Sequence, residues 1–164
     1  MKLQVAIDRV PVERAMEIVK NITSEANIIE ISTSLTKEFG MRALRPVIEA
    51  AEGVAVLGDI KTCDEGKYEF DLGYRCGFSY LTVMGSASMG TLEACARSAA
   101  EHDGLMMIDL LECDEARIER ISGFTDAIYC LHTSTDEGST ADPVAQVRAF
   151  KARFPQIQHL AIAG

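Results

Sequence analysis

A regular alternation of short apolar segments with amphipathic ones constrains this fold most. Seven strand-like segments occur within 164 residues, most of them about 25 residues apart. They begin near Leu3, Asn27, Val54, Ser79, Leu105, Ala127 and Gln158. Parallel strands need long crossover connections, so strands that alternate with helices predict a parallel sheet covered by helices.

Six helical patterns separate the strands. They are Pro11 to Lys20, Met41 to Ala51, Glu65 to Arg75, Met89 to Glu101, Asp114 to Ile121 and Pro143 to Arg153. Asp142 is a predicted N-cap, and Gly77 stands just beyond a predicted helix end. A doubly wound open sheet and a (β/α)8 barrel both satisfy this order of elements.

Two observations favour the (β/α)8 TIM barrel. Charged residues stand at the carboxyl ends of different apolar segments, which converge on one mouth in a barrel. These residues are Asp8, Glu30, Asp59 with Lys61, Asp109 and His132. In addition, the first strand is followed by Arg9-Val-Pro11 and not by the Gly-x-Gly-x-x-Gly turn of a dinucleotide-binding domain.

The segment from Val54 to Gly66 is an apolar strand that ends in charged residues. Alternate side chains of a strand share a face, so Asp59 and Lys61 are expected to point the same way. Burial of charge costs several kcal/mol unless the charge is paired or bound to a metal. The pair therefore indicates a functional site, and a salt bridge that only closes the strand is the alternative.

Composition excludes several classes of partner. A net charge of -9 disfavours nucleic acids and acidic membranes, which bind clustered Lys and Arg. No apolar segment approaches the ~20 residues of a membrane span, and no signal peptide is evident. The five cysteines are odd in number and never in a Cys-x-x-Cys pair, which argues against a disulfide framework or structural zinc site. We expect a cytoplasmic protein with free thiols.

Several segments together resemble one enzyme family, in order along the chain. They are Leu3 to Asp8, Ile28 to Thr33, Gly58 to Gly66, Leu81 to Gly85 and Leu131 to Thr133. The specific element is Asp-x-Lys-x-x-Asp at Asp59, Lys61 and Asp64. The chain is thereby similar to the 3-hexulose-6-phosphate synthase and 3-keto-L-gulonate-6-phosphate decarboxylase branch of the orotidine-monophosphate decarboxylase superfamily.

This resemblance implies a (β/α)8 barrel, a homodimer, and a sugar phosphate substrate with Mg²⁺ and an enediolate intermediate. Glu30 and Asp59 match the metal positions, and Mg²⁺ commonly uses one or two carboxylates. The implied catalytic residues are Lys61, His132 as proton donor and acceptor, and Asp64, which reaches across the dimer interface. The implied substrate-binding residues are Asp8, Asp109 and Gly164. Asp8 could also orient the Lys61 ammonium.

Structural alternatives stay open for single residues. Glu30 could be an edge charge that faces solvent, and Asp8 could cap the helix that begins at Pro11. His132 could make a structural hydrogen bond only. Asp64 and Glu65 are also common in the first turn of a helix, which lowers the specificity of Asp64 considered alone.

Three positions separate the two activities of the family. The decarboxylases carry Glu, Arg and Thr where this chain has Asp109, Thr135 and Ala163. These differences favour the synthase, which adds formaldehyde to ribulose 5-phosphate in a reversible aldol reaction, and make decarboxylation the alternative. Ser32, Ser34 and the loop 134–141 depart from the family pattern and leave the substrate open.

The last residues, Leu160 to Gly164, are expected to form the Gly-rich turn of the seventh strand. We therefore expect one barrel domain over 1–164, truncated after the seventh strand, without the eighth strand and the last two helices. An enzyme of which this is a part, and a complete non-catalytic oligomerising or ligand-binding module, both fit this length. The intact set of polar strand ends favours the enzyme.

Overall fold

The computed structural model describes residues 1–136 and 142–163 and contains all seven predicted strands. They are β1 (Gln4–Ile7), β2 (Ile28–Ile31), β3 (Ala55–Thr62), β4 (Tyr80–Met84), β5 (Leu105–Asp109), β6 (Ile128–His132) and β7 (Leu160–Ala163). They form a single sheet in sequential order, and each neighbouring pair is parallel. A doubly wound sheet would reverse its strand order, so the expectation of a curled barrel sheet is confirmed.

Seven helices accompany these strands in the described part of the chain. They are α1 (Val12–Ile22), α2 (Thr33–Phe39), α3 (Arg45–Glu49), α4 (Gly66–Cys76), α5 (Met89–Glu101), α6 (Glu115–Ile121) and α7 (Pro143–Arg153). Most predicted boundaries are confirmed within two residues. The Asp142 side chain caps α7 by accepting a hydrogen bond of 2.9 Å from the Val144 amide, and Gly77 follows α4 at φ 105°.

The segment between β2 and β3 differs from the expectation. The predicted helix from Met41 begins only at Arg45, and α2 precedes it without having been predicted. Helix α2 has seven residues and a single buried side chain, Leu35, so it shows no apolar period that could identify it. Gly40, at φ 78°, ends α2 and separates the two helices.

The strands divide the apolar core into two clusters. The larger cluster lies between the sheet and the helices and includes Val56, Leu81 and Ile108. The smaller one lies on the inner face of the curled sheet. It consists of Ile28, Leu57, Tyr80, Met107 and Cys130. Two faces covered by apolar side chains are the arrangement of a (β/α)8 barrel, of which seven strands are described.

Two expectations from composition concern the environment of the chain. In residues 1–136 and 142–163, no helix combines the length and the apolar character needed to span a membrane. All five cysteines are free, and Cys76, Cys95 and Cys130 are buried. The domain bounds of 1–164 stay a prediction.

We predict that Gly73→Ala destabilises the fold. A Cβ atom at Gly73 would lie 2.6 Å from Cδ1 of Leu81, where α4 approaches β4. Overpacking costs about 1–3 kcal/mol, which exceeds the roughly 0.5–1 kcal/mol gained when Ala replaces Gly in a helix. Urea unfolding should show a lower free energy of unfolding for this variant.

Gly90→Ala is the matched control for this prediction. Gly90 also lies in a helix and is exposed, and a Cβ atom there would have only the Ser88 hydroxyl nearby, at 3.8 Å. We expect this variant to keep or increase the free energy of unfolding. Equal effects of the two substitutions would show that the contact between α4 and β4 is not tight.

Candidate active site

Asp59 and Lys61 lie on an irregular part of β3. Residues 59 to 61 of β3 stand opposite one residue of β4, Thr82, so β3 bulges at this point. Lys61 adopts φ 50°, in the left-handed region that non-glycine residues rarely occupy. Both charged side chains nevertheless line the same cavity, as the sequence predicted.

The Lys61 ammonium lies between two carboxylates. Its Nζ atom is 3.1 Å from Oδ2 of Asp59 and 2.6 Å from Oδ2 of Asp109. Burial alone would lower the pKa of Lys61, but the hydrogen bond to Asp109 and the charge of Asp59 raise that pKa above its ordinary value. Lys61 therefore remains a cation at neutral pH.

Asp109 is the most buried charged group of the site. Its side chain is 4% exposed, and it accepts hydrogen bonds from Lys61 and from the Leu111 amide at 2.9 Å. Nδ1 of His132 lies 2.9 Å from Oδ2 and 3.1 Å from Oδ1 of the same carboxylate. Burial would raise the pKa of Asp109, but its hydrogen bonds to His132, Lys61 and Leu111 lower it.

His132 is oriented by its contact with Asp109. The hydrogen bond to this carboxylate raises the pKa of His132, although burial acts in the opposite direction. The ring donates through Nδ1, because an ionised carboxylate can only accept. In the neutral ring, Nε2 is then the basic nitrogen, and it has no hydrogen bond within residues 1–136 and 142–163.

Glu30 lies beside Asp59 on the inner face of the sheet, and both side chains line the cavity. Burial, together with the negative charge of Asp59, raises the pKa of Glu30, while the hydrogen bond donated by the Gln4 amide lowers it. The ranges that the structure describes contain no cluster of three or more His, Cys, Asp or Glu side chains that could enclose a metal. Two carboxylates of adjacent strands do fit Mg²⁺, which keeps several waters and substrate oxygens as ligands.

Asp8 and Asp64 are predicted site residues that the structure describes, and neither is an ion-pair partner of Lys61, whose carboxylate partners are Asp59 and Asp109. Asp8 is exposed at the cavity rim, accepts a hydrogen bond from Ser34 and is 3.1 Å from Nε of Arg9. Asp109, and not Asp8, joins Asp59 in holding the Lys61 ammonium. Asp64 is exposed between β3 and α4 and does not line the cavity. Gly164 and loop residues 137–141 lie outside the described residues.

Three polar side chains of the site were not predicted. Thr33 donates to Oδ2 of Asp59 at 2.6 Å, and Thr82 donates to Oδ1 at 2.8 Å. Gln4 donates to Glu30. The sequence offered one signal for Thr82. Alternate residues of a strand share a face, so Thr82 lies on the inner face of β4 together with Tyr80.

These residues surround an open cavity of about 540 Å³ at the carboxyl ends of the strands. Cavities of ~300–1,000 Å³ are typical of small-molecule sites. The wall formed by β3, β5 and β6 carries a cation, a buried anion and an imidazole. Such a set can bind a polar small molecule, stabilise negative charge and transfer a proton.

Comparison with known proteins gives concordant results. Residues 1–160 match the Orotidine 5'-phosphate decarboxylase / HUMPS family. A 3-hexulose-6-phosphate synthase of Mycobacterium gastri is 30% identical over 139 residues, 84% of this chain and 67% of that protein. The chain thus matches about two thirds of the length of this relative.

Solved structures agree with these relationships. The crystal structure of 3-hexulose-6-phosphate synthase from Salmonella typhimurium superposes with a TM-score of 0.88 at 26% identity, covering 100% of this chain and 79% of that chain. KGPDC from Streptococcus mutans, solved as a complex, has a TM-score of 0.88 at 18% identity, covering 99% of this chain and 78% of that chain. The second likeness concerns the fold alone.

We predict a pH-dependent contribution of His132 to stability. Since the folded-state pKa of His132 is raised, its stabilisation is complete below the unfolded-state pKa of about 6.5 and is lost as pH rises through the folded-state value. The lowered pKa of Asp109 keeps its carboxylate ionised throughout this range. His132→Gln should therefore lower the free energy of unfolding more at pH ~5.5 than at pH ~9.

Urea unfolding at both pH values measures this difference. His159→Gln, which replaces an exposed histidine outside the cavity, corrects for the general effect of removing an imidazole. An equal loss of stability for His132→Gln at both pH values would contradict a charged pair between His132 and Asp109.

Proposed function

The chain belongs to the Orotidine 5'-phosphate decarboxylase / HUMPS family, in its branch of 3-hexulose-6-phosphate synthases and 3-keto-L-gulonate-6-phosphate decarboxylases, and from this premise we propose that it carries the catalytic residues of a 3-hexulose-6-phosphate synthase. The proposed reaction is the reversible addition of formaldehyde to ribulose 5-phosphate. One observation carries the proposal: the Asp109 carboxylate holds both the Lys61 ammonium and the His132 imidazole at one cavity wall.

In the proposed reaction, His132 acts as general base and acid. Nε2 takes a proton from carbon 1 of the ketose phosphate, and the electron pair of that C–H bond forms an enediolate with the adjacent carbonyl. Carbon 1 then attacks the carbon of formaldehyde, whose oxygen receives the proton from His132. Each turnover thus returns His132 to its starting state.

Lys61 supplies positive charge for this chemistry. The enediolate carries negative charge on two adjacent oxygens, and a fixed ammonium stabilises such charge most strongly where water is largely excluded. The Lys61 side chain is 23% exposed, and both of its anionic partners are less exposed than it is. Asp59 and Asp109 therefore orient the ammonium and prevent its deprotonation.

We further propose a Mg²⁺ ion at Glu30 and Asp59. A bound Mg²⁺ would act as a Lewis acid toward the negative charge on the substrate oxygens. Burial and the neighbouring charge of Asp59 raise the pKa of Glu30, and a divalent cation would oppose both effects. Thr33 and Thr82 donate to Asp59 and fix the direction of its carboxylate.

We also propose that the protein is a homodimer. Asp64 is exposed and does not line the cavity of its own chain, which suits the predicted role in the site of a neighbouring copy. Asp8, Asp109 and Gly164 stay the predicted substrate-binding residues. The five free cysteines suit the predicted cytoplasmic location.

The synthase is favoured over the decarboxylase by residues that face the cavity. Thr135 and Ala163 both line the cavity. By the family resemblance, the decarboxylases carry Arg at the first of these positions and Thr at the second. A cation at position 135 would help to hold and deliver the water that protonates a decarboxylated intermediate. Thr135 cannot supply that charge.

We predict that the full-length protein with Mg²⁺ and ribulose 5-phosphate consumes formaldehyde. Asp59→Ala removes a proposed metal ligand and a partner of Lys61, so kcat/KM should fall by roughly a thousandfold or more. Formaldehyde consumption in a coupled or colorimetric assay measures the rate. Asp126→Ala, which removes an exposed carboxylate outside the cavity, should keep the wild-type rate.

Two results would reject this assignment. One is formaldehyde consumption no greater than in a metal-free control. The other is release of carbon dioxide from 3-keto-L-gulonate 6-phosphate without aldol activity, which would identify the decarboxylase instead.

We also predict the pH dependence of the reaction. Because the pKa of His132 is raised by Asp109, the acidic limb of the kcat/KM profile should lie above pH ~6.5. Asp109→Asn removes the carboxylate charge, so this limb should move to lower pH while the maximal rate falls. An acidic limb that does not move would show that Asp109 does not tune the catalytic base.

A further inference from the structure

Thr82 of β4 lies opposite the bulge of β3. It is the one β4 residue that faces residues 59 to 61. Its hydroxyl oxygen accepts a hydrogen bond of 2.9 Å from the Lys61 amide and donates one of 2.8 Å to Oδ1 of Asp59. A single hydroxyl thus connects the first and the last residue of the bulge.

The bulge needs such a group for a physical reason. At a bulge, the backbone of the extra residues loses its regular partners in the neighbouring strand. A buried amide without an acceptor is unfavourable, because its hydrogen bond to water is lost and not replaced. Thr82 is 4% exposed, so its hydroxyl replaces the missing carbonyl acceptor in a place with little access to water.

The same hydroxyl supports an unusual conformation. The left-handed backbone of Lys61 is unfavourable for a residue with a Cβ atom and persists only where its surroundings fix it. The Thr82 acceptor holds the amide of this residue, and its donor holds the neighbouring carboxylate. Thr33 also donates to Asp59, but its hydroxyl has no hydrogen bond to Lys61.

We propose that Thr82 is a positioning residue, whose hydroxyl locks the β3 bulge so that the Lys61 ammonium and the Asp59 carboxylate face the reacting atoms together. This inference rests on the proposed function for the reaction that the two groups serve. The two hydrogen bonds of the Thr82 hydroxyl, to the Lys61 amide and to Asp59, are what we call the clamp. The clamp belongs to the fold and can be tested without substrate.

Two substitutions separate the hydroxyl from the shape of the side chain. Thr82→Val keeps the branched shape and removes the hydroxyl, whereas Thr82→Ser keeps the hydroxyl and removes the methyl group. A role in packing predicts that Val is the better replacement. A positioning role predicts the reverse.

Amide hydrogen exchange measured by NMR tests the clamp. In Thr82→Val, the Lys61 amide should exchange roughly tenfold faster, because its acceptor is lost. In Thr82→Ser, the exchange rate should stay near that of the wild type. Acetylation of Lys61 by acetic anhydride, quantified by mass spectrometry against the exposed Lys20, should accelerate several-fold in the Val variant only.

Steady-state kinetics adds the catalytic readout. Thr82→Val should lower kcat roughly tenfold or more with a smaller change in KM, and Thr82→Ser should restore most of kcat. Thr91→Val is the matched control, because Thr91 is a buried threonine on α5 whose hydroxyl contacts Ser88 outside the cavity. This control should leave Lys61 exchange, Lys61 acetylation and kcat unchanged.

The outcomes distinguish this inference from the proposed function. Equal Lys61 exchange and acetylation in the Val and Ser variants would overturn the role of Thr82, whatever the activity. Absence of aldol activity in the wild type would reject the proposed function, while exchange and acetylation would still decide whether Thr82 clamps the bulge.

Discussion

The buried carboxylate of Asp109 is the group on which the rest of the site depends. With 4% of its side chain exposed, it can remain ionised only if donors replace the water it has lost. Lys61, His132 and the Leu111 amide provide them from β3, from β6 and from the residues after β5. Removal of one partner would leave a buried charge partly uncompensated, so the cation and the imidazole are held in place by the same requirement.

Strand geometry explains why the charged side chains of the site form a polar layer next to the inner apolar cluster. Leu57, Met107 and Cys130 belong to the inner apolar cluster. Two residues further along the same strands lie Asp59, Asp109 and His132, which therefore face the same interior. The apolar cluster fills the barrel below the polar groups, and this packing restricts water access to the charged layer from that side.

The sequence predicted most of the fold because the relevant signals are local. The strand positions and helix α5 follow from apolar periodicity and turn residues, and Asp142 was identifiable as an N-cap from its place before Pro143. Helix α2 was missed because seven residues with one buried side chain carry no readable period. The set of polar strand ends was also predictable, since each follows an apolar segment and the carboxyl ends of parallel strands share one edge.

Sequence alone therefore determined which elements form, in what order, and which charged residues reach the mouth of the barrel. Tertiary structure decided which of them touch. Lys61 pairs with Asp109, 48 residues away, and Thr82 meets the bulge across 21 residues of sequence. Such contacts depend on strand register and on a two-residue shift between β3 and β4, and hydrogen bonds that form only within about 3.2 Å cannot be inferred without that register.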